Sequence, residues 1–182
     1  MNKACFLDRD GVINEEVNYL HEPDKVQLIP GTVEALKLLA ANGYKAIVIT
    51  NQAGVAKGYF PEADIALVHA RIQELLAAEG AKIDAFYYCP HHPEYTEKCH
   101  CRKPEPGMIL QAAADWNIDL AQSCMIGDRP SDIGAGCNAG VKACYLVLTG
   151  YGRQVVADNL AAGMTVMETP LAAVKAFLAL KK

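Results

Sequence analysis

The chain alternates short, wholly apolar runs with longer segments whose apolar positions recur at helical spacing. Ala4–Leu7, Ala46–Thr50, Ile83–Tyr88, Cys124–Gly127 and Ala143–Leu148 are the runs, and they predict strands. Thr32–Asn42, Pro61–Glu79, Pro106–Trp116, Ser131–Asn138 and Pro170–Leu180 are the periodic segments, and they predict helices. Gly43 and Gly80 stand where two of these helices stop, and Pro61 sits in the first turn of another. Strands that are apolar throughout and alternate with helices predict a parallel sheet covered on both faces. The expected fold is therefore α/β, a doubly wound, three-layer, Rossmann-like sheet with no large cap domain. One domain spans residues 1–182, without repeat or linker, and its one irregular stretch is Cys89–Pro106.

Composition narrows the function classes. Of 182 residues, 52% are hydrophobic and 21% charged, which suits a water-soluble globular domain. A net charge of −4 with no basic block argues against nucleic-acid binding. Asp8 interrupts the only apolar run near the N-terminus, and no run is long enough for a membrane span, so a cytoplasmic protein is expected. There, seven cysteines are expected to be free thiols or metal ligands.

Polar residues collect at the ends of the predicted strands. The first strand ends in Asp8-Arg9-Asp10, the second in Thr50-Asn51-Gln52 and the fourth in Gly127-Asp128-Arg129-Pro130-Ser131-Asp132. Open α/β sheets bind ligands outside the carboxyl ends of their strands. A single Asp after a strand reads as a turn or a helix cap. Three polar strand ends together predict a site.

A second cluster lies in the irregular stretch. Cys89-Pro-His91-His-Pro is followed by Cys99-His-Cys101-Arg102-Lys103-Pro104. Cys89, His91, Cys99 and Cys101 form a ligand set suited to tetrahedral Zn²⁺, with His92 and His100 as alternatives. The competing reading is a flexible loop with chance cysteines. Four protein ligands would leave no open position, so the expected site is structural. It would staple loop 89–104 and position Arg102 and Lys103, directly after the last ligand.

In chain order, Asp8-Arg-Asp10-Gly11-Val12, Thr50-Asn51, Lys103 and Gly127-Asp128-x3-Asp132 resemble the four motifs of haloacid-dehalogenase-superfamily phosphatases. The resemblance implies that Asp8 attacks phosphorus to form an aspartyl phosphate. It implies that Asp10 protonates the leaving oxygen and then activates water. Mg²⁺ would be held by Asp8, the Asp10 carbonyl and Asp128. Thr50, Asn51, Gln52 and Lys103 would hold the phosphoryl group. Such chemistry needs one carboxylate ionised and one protonated, so their environments should push the two pKa values apart.

Within the superfamily, the C-x-H…C-x-C-R-K-P loop resembles two branches, the heptose-bisphosphate phosphatases and the histidinol-phosphate phosphatases. Asp8–Asn14, Glu15–Gly31 and Thr50–Phe60 are more similar to the first. The implied substrate is a small phosphorylated sugar, on a route toward lipopolysaccharide precursors. Arg102 would recognise its distal end, Glu16 and Tyr19 would border the sugar, and Arg129 would contact phosphate. A monomer is expected.

The remaining features read as structural. Gly134-Ala-Gly136 suits close helix packing better than a dinucleotide loop, because it follows Asp132 rather than a strand. Cys5, Cys124, Cys144 and Cys137 are expected in the core, and His69 at the surface or its boundary.

Overall fold

In a computed structural model, which describes Met1–Leu180, the chain forms one six-stranded sheet with strand order β3-β2-β1-β4-β5-β6. The strands are β1 (Lys3–Leu7), β2 (Tyr44–Asn51), β3 (Ala85–Cys89), β4 (Cys124–Gly127), β5 (Ala143–Val147) and β6 (Thr165–Met167). Every neighbouring pair is parallel. The helices are α1 (Thr32–Ala41), α2 (Ala53–Ala56), α3 (Ala63–Ala78), α4 (Gly107–Trp116), α5 (Pro130–Ala139), α6 (Gly152–Ala157) and α7 (Pro170–Ala179).

The three layers follow from the alternation of side chains along each strand. Cys5 and Leu7 of β1 point to a core closed by Leu36 and Leu39 of α1, Val68, Ile72 and Leu76 of α3, and Val174 and Phe177 of α7. Ala4 and Phe6 point to the opposite core, closed by Met108, Ile109 and Ala112 of α4 and Ala135 of α5. The central strands β1 and β4 are buried on both faces, which is why they read as continuous apolar runs.

The five expected strands and five expected helices are all present. β6 is an addition: three residues, largely exposed and pairing only with β5, too short to carry a periodic signal. The short helices α2 and α6 were likewise not expected. Helix α3 starts at Ala63 rather than Pro61. No inserted cap domain occurs among the described residues. The long connections 8–31 and 90–106 instead follow the carboxyl ends of β1 and β3. No described helix is long and apolar enough to cross a membrane.

Gly136 packs where a Cβ would strike Met125 and Cys144, as the close-packing reading expects. Cys5 and Cys124 are buried and Cys144 is half-buried, but Cys137 is exposed, although its sulfur lies 3.8 Å from that of Cys144. His69 is buried rather than superficial, because α3 turns it toward Phe86 of β3.

Helix α7 closes one face through Phe177, which is fully buried and meets the Tyr44 ring edge-on at 5.3 Å. Phe177→Ala should therefore cost about 3–5 kcal/mol, read as a lowered urea midpoint with an unchanged m-value.

Candidate active site

The chain leaves β1, runs outward through β2 and β3, then returns to place β4 on the other side of β1. This reversal opens a crevice at the carboxyl ends of β1 and β4, where open α/β sheets bind ligands. Asp8 follows β1, and its N–H donates to Ile126 O of β4 at 3.0 Å. Asp128 follows β4. The crevice widens into a cavity of about 440 Å³ lined by Asp8, Asp10, Glu16, Thr50, Asn51, Gln52, Arg102, Lys103, Arg129 and Asp132. All the residues expected to act on substrate therefore face one cavity.

Its floor is a buried charge cluster. Lys103 Nζ lies 2.8 Å from Asp8 Oδ1 and 2.7 Å from Asp132 Oδ1, and donates to Ile49 O at 2.9 Å. The ammonium thus faces two carboxylates and one carbonyl, and Asp132 and Asp8 raise its pKa despite burial. Asp8 Oδ1 also accepts from Arg9 N–H at 2.7 Å. Asp132 serves twice, since its Oδ2 accepts from the N–H of Arg129 at the start of α5 at 2.9 Å. Asp128 Oδ2 accepts from Tyr151 N–H at 2.7 Å. Two glycines make room for these groups. A Cβ on Gly11, at φ +82°, would collide with the Asp128 carboxylate, and one on Gly127 would collide with Asp132.

Ligand atoms of Asp8, Asp128 and Asp132 lie within 4.8 Å of one another. Asp128 Oδ1 is buried and has no partner among the described residues. Three carboxylates against one ammonium leave two net negative charges when all are ionised. The all-oxygen donor set, the orphaned oxygen and this deficit fit one divalent cation such as Mg²⁺. Burial raises Asp8 to about 6 against the pull of Lys103. Burial, then the charges of Asp8 and Asp132, raise Asp128 to about 8.

Asp10 has the opposite surroundings. Arg9 grips it with both prongs, Nε to Oδ1 at 3.1 Å and Nη2 to Oδ2 at 2.9 Å. Asn14 Nδ2 adds a bond to Oδ1 at 2.9 Å and Gln52 Nε2 one to Oδ2 at 3.1 Å. Burial pushes Asp10 up, but Arg9 and these amides outweigh it and hold the carboxyl below its ordinary value. The two carboxylates are pushed apart as expected. The sense is reversed in the free site, where Asp10 is the one held ionised.

Several expected phosphate contacts are instead engaged with their neighbours. Asn51 accepts from Lys103 N–H at 3.0 Å and donates to Lys103 O at 3.2 Å, so it clamps the lysine's own peptide. Gln52 bridges Asp10 to Thr50 Oγ1, at 2.9 Å from the latter. Arg102 donates to His91 O at 3.1 Å. Arg129 lies 3.7 Å over the Tyr151 ring. Glu16 is raised to about 7 by burial and then by the charge of Asp10. Tyr19, at φ +57°, accepts a bond from Lys57 Nζ at 2.8 Å.

The sequence reading missed Arg9, Lys57 and Tyr151. Tyr151 was findable, because Thr149-Gly150-Tyr151 follows β5 just as the other polar residues follow their strands. Arg9 carried no such signal, being the variable position between the two aspartates.

Beside the cavity, Cys89, His91, Cys99 and Cys101 converge with all ligand atoms within 4.8 Å. The Cys89–Cys99 and Cys101–Cys99 sulfurs are 3.6 and 3.4 Å apart, and His91 Nδ1 lies 3.6 and 3.5 Å from Cys89 and Cys101. Tetrahedral Zn²⁺ with bonds of about 2.3 Å to sulfur has edges of roughly 3.8 Å. Only the Cys89–Cys101 pair, at 2.9 Å, is clearly tighter. His92 and His100 lie outside this group.

Asp8 and Asp128 hold protons more tightly when folded than at their ordinary 3.8, so folding loses stability as pH rises through about 6 and about 8. Buried His69 is held down to about 3, so it has the opposite sign, but its contribution is complete above the ordinary 6.5. Cys99, lowered to about 7, works in the opposite sense over the range above pH 7, so the test is the effect of the ion: saturating Mg²⁺, which competes with protons for Asp8 and Asp128, should raise the melting temperature more at about pH 8.5 than at about pH 7. An equal rise at both pH values would place the ion outside the cluster.

Comparison with known proteins agrees with this geometry. A family model described as HAD-hydrolase-like matches residues 100–169. The D-glycero-beta-D-manno-heptose-1,7-bisphosphate 7-phosphatase of Pasteurella multocida is 47% identical over 154 residues, covering 82% of this chain and 84% of its own. The corresponding alpha-anomer phosphatase of Photorhabdus laumondii is 43% identical over 162 residues, covering 86% and 88%. The crystal structure of the D,D-heptose 1,7-bisphosphate phosphatase from B. bronchiseptica, complexed with magnesium and phosphate, superposes with a TM-score of 0.87. It is 36% identical and covers 98% of this chain and 99% of its own. The chain belongs to the haloacid-dehalogenase-like hydrolases, in the family of the heptose-1,7-bisphosphate 7-phosphatases.

Proposed function

We propose that this chain is a Mg²⁺-dependent phosphatase that removes the 7-phosphate of D-glycero-D-manno-heptose 1,7-bisphosphate. The observation that carries the reading is the Asp8–Lys103–Asp132 cluster facing Asp128, with Asp10 separately clamped two residues from Asp8. Lys103 and Arg9 N–H hold Asp8 Oδ1, which orients the carboxylate and leaves Oδ2 for attack. The Asp8 oxygen bonds to phosphorus as the bond to the sugar oxygen breaks. Asp10 gives that oxygen a proton. The arriving phosphate dianion raises the proton affinity of Asp10, which the free site holds low. Asp10 then takes a proton from water as the water attacks phosphorus, and Asp8 leaves with its electron pair, releasing inorganic phosphate. Mg²⁺ held by Asp8, Asp128 and the Asp10 carbonyl would supply charge to offset the phosphate.

Thr50 and the Asn51 peptide region border the transferring group, and Lys103 balances charge beneath it. Glu16 and Tyr19 border the sugar, while Arg102 and Arg129 supply cationic contacts at the rim. Cys89, His91, Cys99 and Cys101 would hold Zn²⁺, which would staple the loop that carries Lys103. In this reading the partner is a small phosphorylated sugar, and the protein is a cytoplasmic monomer.

The deciding experiment is phosphate release with Mg²⁺ from both anomers of heptose 1,7-bisphosphate, from histidinol phosphate and from fructose 1,6-bisphosphate. A heptose anomer should be preferred by about 100-fold or more in kcat/KM, and Asp8→Asn should abolish turnover while the protein stays folded. Equal turnover of histidinol phosphate would overturn the substrate, and an active Asp8→Asn variant the mechanism. For the staple, purified protein should hold about one Zn²⁺ per chain, and stripping it should lower both the melting temperature and kcat. Metal-free protein of unchanged stability would refute the structural role.

A further inference from the structure

Behind Asp10, two buried polar atoms have no partner among the described residues, Nη1 of Arg9 and Nε2 of His69. Arg9 is the largest fully buried side chain. Its Nε and Nη2 are committed to Asp10, and Nη2 also approaches Leu20 O and Gln52 Oε1 at 3.3 Å each. Only Nη1 is left over. A buried guanidinium proton without an acceptor is costly, so an acceptor is expected nearby.

The sheet register brings His69 over the same face of the sheet, toward which Arg9 turns. Leu7, Val48 and Phe86 stand in one row across β1, β2 and β3, on one core face. Thr50 and Tyr88 form the next row of that face. Arg9 lies two residues beyond Leu7 and reaches Gln52, just past the end of β2. His69, on α3, covers the same two rows. Its ring stacks on Phe86 at 4.3 Å and 19°, and meets Tyr88 edge-on at 6.3 Å. The Arg9 charge is felt there: after burial, it is the next cause that keeps the imidazole neutral at ordinary pH. A neutral imidazole with its proton on Nδ1 presents Nε2 as an acceptor, and Nη1 is a donor.

We propose that His69 is a positioning residue for Asp10, its Nε2 accepting from Arg9 Nη1 through one bridging water. The guanidinium is planar and rigid, so fixing Nη1 fixes the plane in which Nε and Nη2 grip the Asp10 carboxylate. A buried water with two or more polar partners is an ordinary structural element, and groups behind a reacting side chain commonly set its orientation. The inference rests on the phosphatase reading, in which Asp10 moves the proton.

The test compares His69→Phe, which keeps the aromatic stack but has no acceptor, with His69→Gln, whose amide oxygen can occupy the Nε2 position. In the Mg²⁺-loaded enzyme, His69→Phe should lower kcat about tenfold with KM within about twofold, and His69→Gln should recover most of the loss. Should His69→Phe fold poorly, His69→Leu is read the same way. Wild-type kcat in His69→Phe, or an equal loss in both variants, would overturn the inference. Wild-type protein inactive on every phosphomonoester would overturn the phosphatase reading, and the inference with it.

Discussion

Asp8, Asp128 and Asp132 are buried side by side, and Lys103 touches two of them. Like charges removed from water repel strongly, so the fold must bring a cation to this point and hold it there. The lysine comes from a loop without regular structure, which cannot fix it unaided. Asn51 does so from the end of β2, where its amide grips the peptide of Lys103, and the Cys/His cluster that ends at Cys101 would add a second anchor when it holds Zn²⁺. The apolar strands behind the site then position the nucleophile, while the anchored loop positions its counter-charge.

The same strand end carries a second carboxylate with a different protonation preference. Asp8 and Asp10 are two residues apart, but Asp10 is gripped by a guanidinium and two amides, whereas Asp8 is buried with one ammonium that it shares with Asp132. The difference arises from chain geometry. Between them Arg9 turns inward toward the core face of Leu7, where its guanidinium reaches back to Asp10. An arginine buried for this purpose must satisfy every prong, and that demand extends the site's influence to α3.

The succession of strands and helices along the chain, the polar strand ends and the Cys/His cluster were all legible, because each leaves a local signature in residue type and spacing. β6 was not, since three exposed residues on a sheet edge carry no periodicity. His69 was misread because a single histidine on a helix does not reveal which way the helix faces; the stack on Phe86 exists only once α3 packs on β3. Cys137 was misread for a related reason: it lies in the last turn of α5, exposed even though its sulfur touches that of Cys144. Asn51 and Gln52 were assigned to the phosphate, yet their side chains tie together residues 52 and 42 positions away. Contacts at that separation have no trace in local sequence.

The Cys/His cluster has a further consequence for how this chain can vary. His91 and Cys99 are tied to one point, so residues 92–98 form a closed excursion that begins and ends at the same place. Insertions or deletions within it would be absorbed before the chain reaches Cys101, leaving the spacing from Cys101 to Lys103 untouched. Tyr95, which shares the Lys57 ammonium with Tyr19 and Tyr59, lies on that excursion, and Lys57 and Tyr19 line the cavity. The chain can thus remodel a segment beside the cavity while the lysine on its floor stays put, separating what can drift from what cannot.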